Sequence, residues 1–248
     1  MKWRLIIDRP RDAFTNMAID FALLKLNKRP TVRFYEWLPA AVSIGYFQSL
    51  KEEVDIKKCD ELGIDYVRRI TGGGAVFHDK ELTYSITIAE KNDFISRDIN
   101  KSYETICSAI IAGLENIDIS AEYVPLNDLV VNGKKISGCA QTRKQKKLLQ
   151  HGTLLIETDV SKMFSVLKVP NEKIKGKLIK NVKERVTSLK KELEREVSFE
   201  ELCKALQQGF EDYFDIEFEF DEITKEEFYL AEKLKQEKFL KKEWNFKR

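Results

Sequence analysis

The chain has 248 residues, with 43 Lys+Arg against 41 Asp+Glu and a formal net charge of +2, and apolar residues make up 43% of it. That apolar share excludes a disordered chain, and the balanced charge argues against a general nucleic-acid binder, whose phosphate contacts call for a basic excess. No apolar run approaches the roughly 20 residues of a spanning helix, and the start, MKWRLIIDRPRD, lacks the apolar stretch of a secretory signal. Cys59, Cys107, Cys139 and Cys203 stand far apart with no Cys-x-x-Cys pair, which reads as reduced thiols in a soluble, cytoplasmic protein.

In chain order, Asp12–Leu26 has helical spacing through Phe14, Met17, Phe21 and Leu24. Thr31–Trp37 and Ala41–Phe47 read as strands on either side of Leu38-Pro39, and Val54–Leu62 as a short helix. Asp65–Ile70 and Ala75–His78 are strand-like around three glycines, and Leu82–Ala89 is a further strand. Asn100 is the expected cap of a helix carrying Tyr103, Ile106, Cys107, Ile110 and Leu114. Leu129–Asn132 and Lys135–Thr142 flank Asn132-Gly133, a hairpin signal, and Leu148–Glu157 completes a meander. Ser198 with Glu201 opens a helix through Phe214. Ile216–Phe220 alternates as a strand, and Thr224 with Glu227 opens a final helix reaching Trp244. With no repeat and no clear linker, the pattern predicts one α+β domain over residues 1–248, built on a mixed, mostly antiparallel sheet flanked by helices.

Two segments carry chemistry. In Arg68-Arg69-Ile70-Thr71-Gly72-Gly73-Gly74-Ala75-Val76-Phe77-His78-Asp79, three glycines let backbone approach a ligand, and two arginines offer planar donors to phosphate or carboxylate. It is neither a Rossmann fingerprint nor a Walker loop. By composition alone it also reads as a glycine-rich hairpin loop beside an incidental Arg pair.

In the second segment, Asn127 to Ala140, strand alternation predicts Lys135, Ser137 and Cys139 on one face and Ile136 with Ala140 on the other. A lysine held there would stabilise charge on a reacting carboxylate and phosphate, although Asn-Gly-Lys-Lys equally suits a solvated turn. Cys139 reads as a small half-buried hydrophobe. His78 and His151 are the only histidines. They exclude a His-rich metal site and suit hydrogen-bonding roles that position loops or ligand.

Together with His151-Gly152-Thr153-Leu154-Leu155, and with Arg33–Trp37, Ile44–Gln48, Glu184–Thr187 and Glu243–Asn245 on the flanks, these segments resemble the lipoate–protein ligase A family in order and spacing. The resemblance covers nearly the whole chain. It implies a fold shared with biotin ligases and class II aminoacyl-tRNA synthetases. It also implies a two-step ligase: ATP with lipoate or octanoate gives an acyl-adenylate, and the acyl group passes to a lysine of a lipoyl carrier domain. The carrier would be that of a 2-oxoacid dehydrogenase or a glycine cleavage H-type protein.

By the same resemblance, Arg69, Gly72, Gly73, Gly74, Ala75, Val76 and Phe77 contact the adenylate, and Lys135 is the essential catalytic lysine. Asp128 lies near the nucleotide, His78 and His151 line the site, and strand residues near Ile44 and Val76 form an acyl tunnel. Mg²⁺ is expected with ATP, its ligands unassigned. The C-terminal accessory domain of many such ligases is absent, which raises the expectation of a small partner subunit.

Two alternatives stand beside the ligase. One is an octanoyltransferase or amidotransferase of the same fold, working without ATP through a cysteine thioester. Neither Ser120–Leu126 nor the Val169-Pro170 region, where such enzymes place that cysteine, contains one, which leaves only Cys139. The other is a non-catalytic lipoate- or biotin-binding regulator.

Overall fold

The computed structural model describes residues 2–168 and 175–248; the Val169-Pro170 position lies outside the described residues. The order is β1 (Lys2–Ile7), α1 (Ala13–Leu26), β2 (Thr31–Tyr35), β3 (Ala41–Ile44), α2 (Leu50–Glu53) and α3 (Ile56–Leu62). Then come β4 (Asp65–Arg68), β5 (Val76–His78), β6 (Glu81–Ala89), α4 (Ile99–Glu115), β7 (Glu122–Val124), β8 (Asp128–Val131), β9 (Lys134–Lys144) and β10 (Lys147–Leu155). The rest comprises α5 (Val160–Val166), α6 (Lys175–Arg185), α7 (Leu189–Leu193), α8 (Phe199–Phe214), β11 (Glu217–Phe220), α9 (Lys225–Leu234), a π-helical turn (Lys235–Phe239) and α10 (Lys242–Asn245).

Eight strands form one mixed sheet in the order β11-β1-β2-β6-β10-β9-β8-β7, parallel only where β1 meets β11 and β2. The expected α+β class and the β8-β9-β10 meander are both present. Strands β4-β3-β5 make a second, small sheet, so the stretches either side of Leu38-Pro39 belong to different sheets.

One face of the large sheet is apolar: Trp3, Phe34, Tyr84, Ile86, Leu148 and Leu154 pack under α4 and α8. The two helices touch so closely that a Cβ on Gly209 would fall on the backbone of Gly113. The opposite face meets α1, which is buried nearly all round because α9 closes over it.

Local signals explain most boundaries and most misses. Thr224 and Glu227 form the expected capping box, and Ser198 caps α8. The cap of α4 is Asp98, not Asn100: its carboxylate accepts from the Lys101 amide one turn on. The last helix does not run through to Trp244. It breaks at the π-helical turn, and Trp244 and Asn245 reach back to β4 instead, where the Trp244 indole donates to the Arg68 carbonyl (2.8 Å) and Asn245 Oδ1 accepts from the Arg68 amide (2.8 Å).

The strand alternation expected for Lys135–Ala140 is overturned by a β-bulge. Leu129 pairs with Ser137 but Val130 with Lys135, so Ile136 is an extra residue on β9. That one residue moves Lys135 onto the same face as Gly138, whose Cβ position would meet Lys135 Nζ, and leaves Cys139 on the opposite face beside Tyr84 and Cys107.

The α4–α8 contact gives a stability test. Gly209→Ala should lower the urea midpoint by the equivalent of about 1–3 kcal/mol, the usual range for overpacking a closed interface. An unchanged midpoint would mean the two helices do not meet as closely as described.

Candidate active site

A cavity of about 310 Å³ opens between the glycine loop, the polar face of the large sheet and the β9 strand. Its apolar walls include Met17, Val76, Phe77, Met163 and Val182. Arg69, Gly73, Gly74, Ala75, Val76, Phe77, His78, Lys135 and His151 all line it, so the structure gathers nine of the residues singled out by sequence. Gly72 and Asp128 lie just outside. Ile44 is no tunnel residue: its side chain is fully buried in the separate core of the small sheet.

Neither arginine is free to grip an anion. Arg68 donates to the carbonyls of Gly45, Tyr46, Gln48, Trp244 and Asn245. Arg69 donates Nε to Gly72 O (3.2 Å), Nη1 to Ser43 O (3.0 Å) and Ser43 Oγ (3.2 Å), and Nη2 to the carbonyls of Gly72 and Gly74 (both 2.7 Å). Burial draws the Arg69 pKa down to about 10, but five hydrogen bonds keep the cation paired. Through these bonds Arg69 ties the loop to β3. Gly73, at φ +91°, makes the turn that aims two carbonyls at the guanidinium. Gly45 lies so close beneath that a Cβ there would fall on the Gly73 carbonyl.

Each histidine bridges a hydroxyl and a carboxylate. His78 Nε2 is 2.7 Å from Ser43 Oγ and its Nδ1 is 2.6 Å from Glu81 Oε1. Its ring stacks on Trp37 with centroids 3.9 Å apart. His151 Nε2 is 2.7 Å from Thr71 Oγ1 and Nδ1 is 3.2 Å from Asp20 Oδ2. Asp20 also accepts from Arg33 (3.0 Å), Tyr35 (3.0 Å) and Ser85 (2.9 Å), and Arg33 is tied to Asp8 at 2.8 Å. Burial opposes the charged form of Asp20, yet these donors hold its pKa below the usual carboxylate value.

Lys135 Nζ sits at the cavity edge, half exposed, 2.7 Å from Asp128 Oδ1. Its carbonyl accepts from the Thr187 amide, which anchors the Glu184–Thr187 segment beside it. Cys139 borders the cavity, but its thiol turns to the helix-backed face, 3.8 Å from Cys107 Sγ and 3.3 Å from the Asn127 carbonyl. The hydrogen bond with Cys107, together with burial, pushes the Cys139 thiol well above its ordinary pKa, the opposite of an activated nucleophile. All four cysteines are buried and unbridged. Among the described residues no three His, Cys, Asp or Glu side chains gather to hold a metal ion, and no helix is long and apolar enough to cross a membrane.

Ser43, Glu81 and Asp20 were not singled out by sequence. Glu81 and Asp20 carried a faint signal, an acid at the head of an apolar strand and an acid inside an apolar helix. Ser43 carried none.

Residues 12–211 match the lipoyl protein ligase A/B catalytic domain. The chain belongs to that family. Octanoyltransferase LipM of Brevibacillus brevis is 35% identical over 274 aligned positions, covering 100% of this chain and 99% of that one. The alignment is longer than this chain, so that relative carries segments with no counterpart here. Among solved structures, the bipartite lipoate protein ligase of Thermoplasma acidophilum, studied with its E2 lipoyl domain, superposes with a TM-score of 0.91 at 34% identity, covering 99% of this chain and 96% of that one. A lipoate-protein ligase A bound with ATP gives 0.85 at 32% identity, with 99% of both chains covered. The biotin protein ligase of Aquifex aeolicus shares the fold alone, with a TM-score of 0.50 at 13% identity and coverage of 86% and 69%.

The ATP-dependent ligase expected from the motifs is overturned by the curated relatives, which are octanoyltransferases along the full length. The expected ATP, Mg²⁺ and acyl-adenylate fall with it. The motifs misled because they mark a scaffold, and a scaffold does not fix the acyl donor.

The buried histidine on the polar face of the sheet makes stability pH-dependent. Burial lowers the His151 pKa despite Asp20, so below about pH 6.5 the unfolded chain binds the extra proton and stability falls. His151→Gln should flatten that decline in urea midpoints between about pH 5 and 6.5; the same slope in both proteins would remove His151 as its source.

Proposed function

We propose that this chain is an octanoyltransferase: it moves an octanoyl group from a carrier thioester to the ε-amine of a specific lysine on a lipoyl domain, without ATP. The observation that carries this reading is the full-length match to octanoyltransferases at 32–37% identity. A thioester is already activated, so exchanging it for an amide needs no nucleotide. The engagement of every Arg69 donor agrees, because that guanidinium keeps no N–H spare for a phosphate.

In this reading the apolar walls around Met17, Val76, Phe77 and Met163 hold the acyl chain and exclude water from the reacting carbonyl. The Lys135 ammonium at the cavity edge, oriented by Asp128, stabilises negative charge as the thioester carbonyl becomes tetrahedral. The lipoyl-domain acceptor is that of a 2-oxoacid dehydrogenase or a glycine cleavage H-type protein. The catalytic domain is the whole chain, 1–248, acting in the cytoplasm.

The test gives the chain alone a lipoyl domain and either an octanoyl-pantetheine thioester or free octanoate with ATP, and weighs the domain. Octanoylation from the thioester without ATP is expected. Labelling only from free acid with ATP, with pyrophosphate released, would overturn the reading. Lys135→Ala should slow transfer by about 10²-fold or more, while Lys134→Ala, exposed at the hairpin turn, should stay near wild type. Equal rates in both variants would take Lys135 out of the mechanism.

A further inference from the structure

An enzyme that passes an acyl group between two carriers gains from holding it covalently, and cysteine does not supply that nucleophile here. Cys139 is the one cysteine bordering the cavity among the described residues, and its thiol faces the other side of the sheet. The small sheet and the head of β6 bring together a hydroxyl, an imidazole and a carboxylate. Ser43 Oγ, His78 Nε2 (2.7 Å), His78 Nδ1 and Glu81 Oε1 (2.6 Å) form a continuous hydroxyl–imidazole–carboxylate chain, and all three residues line the cavity.

We propose that Ser43 is the acyl-accepting nucleophile of this site, with His78 as its general base and Glu81 as the residue that orients the imidazole. The inference rests on the acyltransferase reading above and adds an intermediate to it.

The orientation follows from the partners. A carboxylate at Glu81 accepts only, so His78 carries its proton on Nδ1 and presents the Nε2 lone pair to the Ser43 hydroxyl. Glu81 is itself fixed by Thr83 Oγ1 (2.8 Å), which accepts from the Trp37 indole (2.7 Å), and Trp37 stacks on the imidazole at 13°. The ring is thus held in plane and in tautomer. Glu81 Oε2 has no hydrogen-bond partner among the described residues, so its charge remains available to an imidazolium. Arg69 Nη1, 3.2 Å from Ser43 Oγ, supplies a positive neighbour for the alkoxide as the proton leaves.

The second such chain, Thr71–His151–Asp20, shows what a structural version looks like. Thr71 does not line the cavity, and Asp20 is shared among Arg33, Tyr35 and Ser85. Of the two chains, the Ser43 one alone has its hydroxyl-bearing residue among those lining the cavity.

The steps balance. Ser43 Oγ attacks the thioester carbonyl carbon and its proton passes to His78 Nε2. The C–O bond forms, the C–S bond breaks, and His78 returns the proton to the departing thiolate. The lipoyl-domain amine then attacks the seryl ester and the C–N bond forms. The C–O bond breaks, and a proton from the amine reaches the Ser43 oxygen through His78.

The experiment mixes the full chain with octanoyl-pantetheine thioester and no acceptor, quenches in acid, and maps the adduct by peptide mass. One octanoyl group is expected on the Ser43 peptide, resistant to neutral hydroxylamine as an oxygen ester is. Ser43→Ala should lose the adduct and slow transfer to the lipoyl domain by about 10³-fold or more. Ser43→Cys should retain an adduct at the same position, now labile to hydroxylamine, which also shows that the site folds. A hydroxylamine-labile adduct on Cys139 in the wild type, or full transfer by Ser43→Ala, would overturn the proposal while leaving the transferase standing. Absence of any transfer from the thioester by the wild type would remove both.

Discussion

A guanidinium buried beside a cavity must give every N–H an acceptor, because an unmatched buried charge costs several kcal/mol. Arg69 meets that demand with the carbonyls of Ser43, Gly72 and Gly74, and in doing so fixes where the glycine loop can lie. The loop needs Gly73 to turn its carbonyls inward and Gly45 to let β3 come close beneath it. Cavity wall, loop and Ser43 are therefore set by one side chain. Arg68 does the same on the outer side, binding the C-terminal Trp244–Asn245 segment to β4.

The polar face of the large sheet is the second half of the arrangement. Arg33, Asp8, Asp20, Tyr35, Ser85 and His151 satisfy one another under α1, where a broken network would leave buried charge exposed to an apolar surrounding. That rigid floor holds His151 in place at the base of the cavity. The reacting groups of the proposed mechanism, Ser43, His78, Glu81 and Lys135, stand around this floor on strands or at their ends, which favours precise placement.

Much of this was legible in the sequence, and the failures have physical causes. Apolar periodicity and turn residues located the meander, α4, α8 and the capped α9, because each depends on local chemistry. The cavity residues were found because glycines, arginines and histidines are conspicuous between strands. What could not be read was where hydrogen-bond donors go. Arg68 and Arg69 look like anion ligands until five carbonyls are seen to take the first, and three carbonyls with the Ser43 hydroxyl the second. A single extra residue at Ile136 reversed the face of Lys135 relative to Cys139, and no alternation rule announces a bulge. Ser43 entered the site only through a partner 35 residues away. The acyl donor was misread because ligases and transferases share the same scaffold.

Binding decides most directly between a site closed by Arg69 and a nucleotide site. Isothermal titration of the full chain should show saturable binding of octanoyl-pantetheine thioether, a non-transferable donor mimic, and none of ATP, whether or not octanoate is present. Saturable ATP binding that strengthens with octanoate would contradict the account, since a transferase fed by a thioester has no use for a nucleotide.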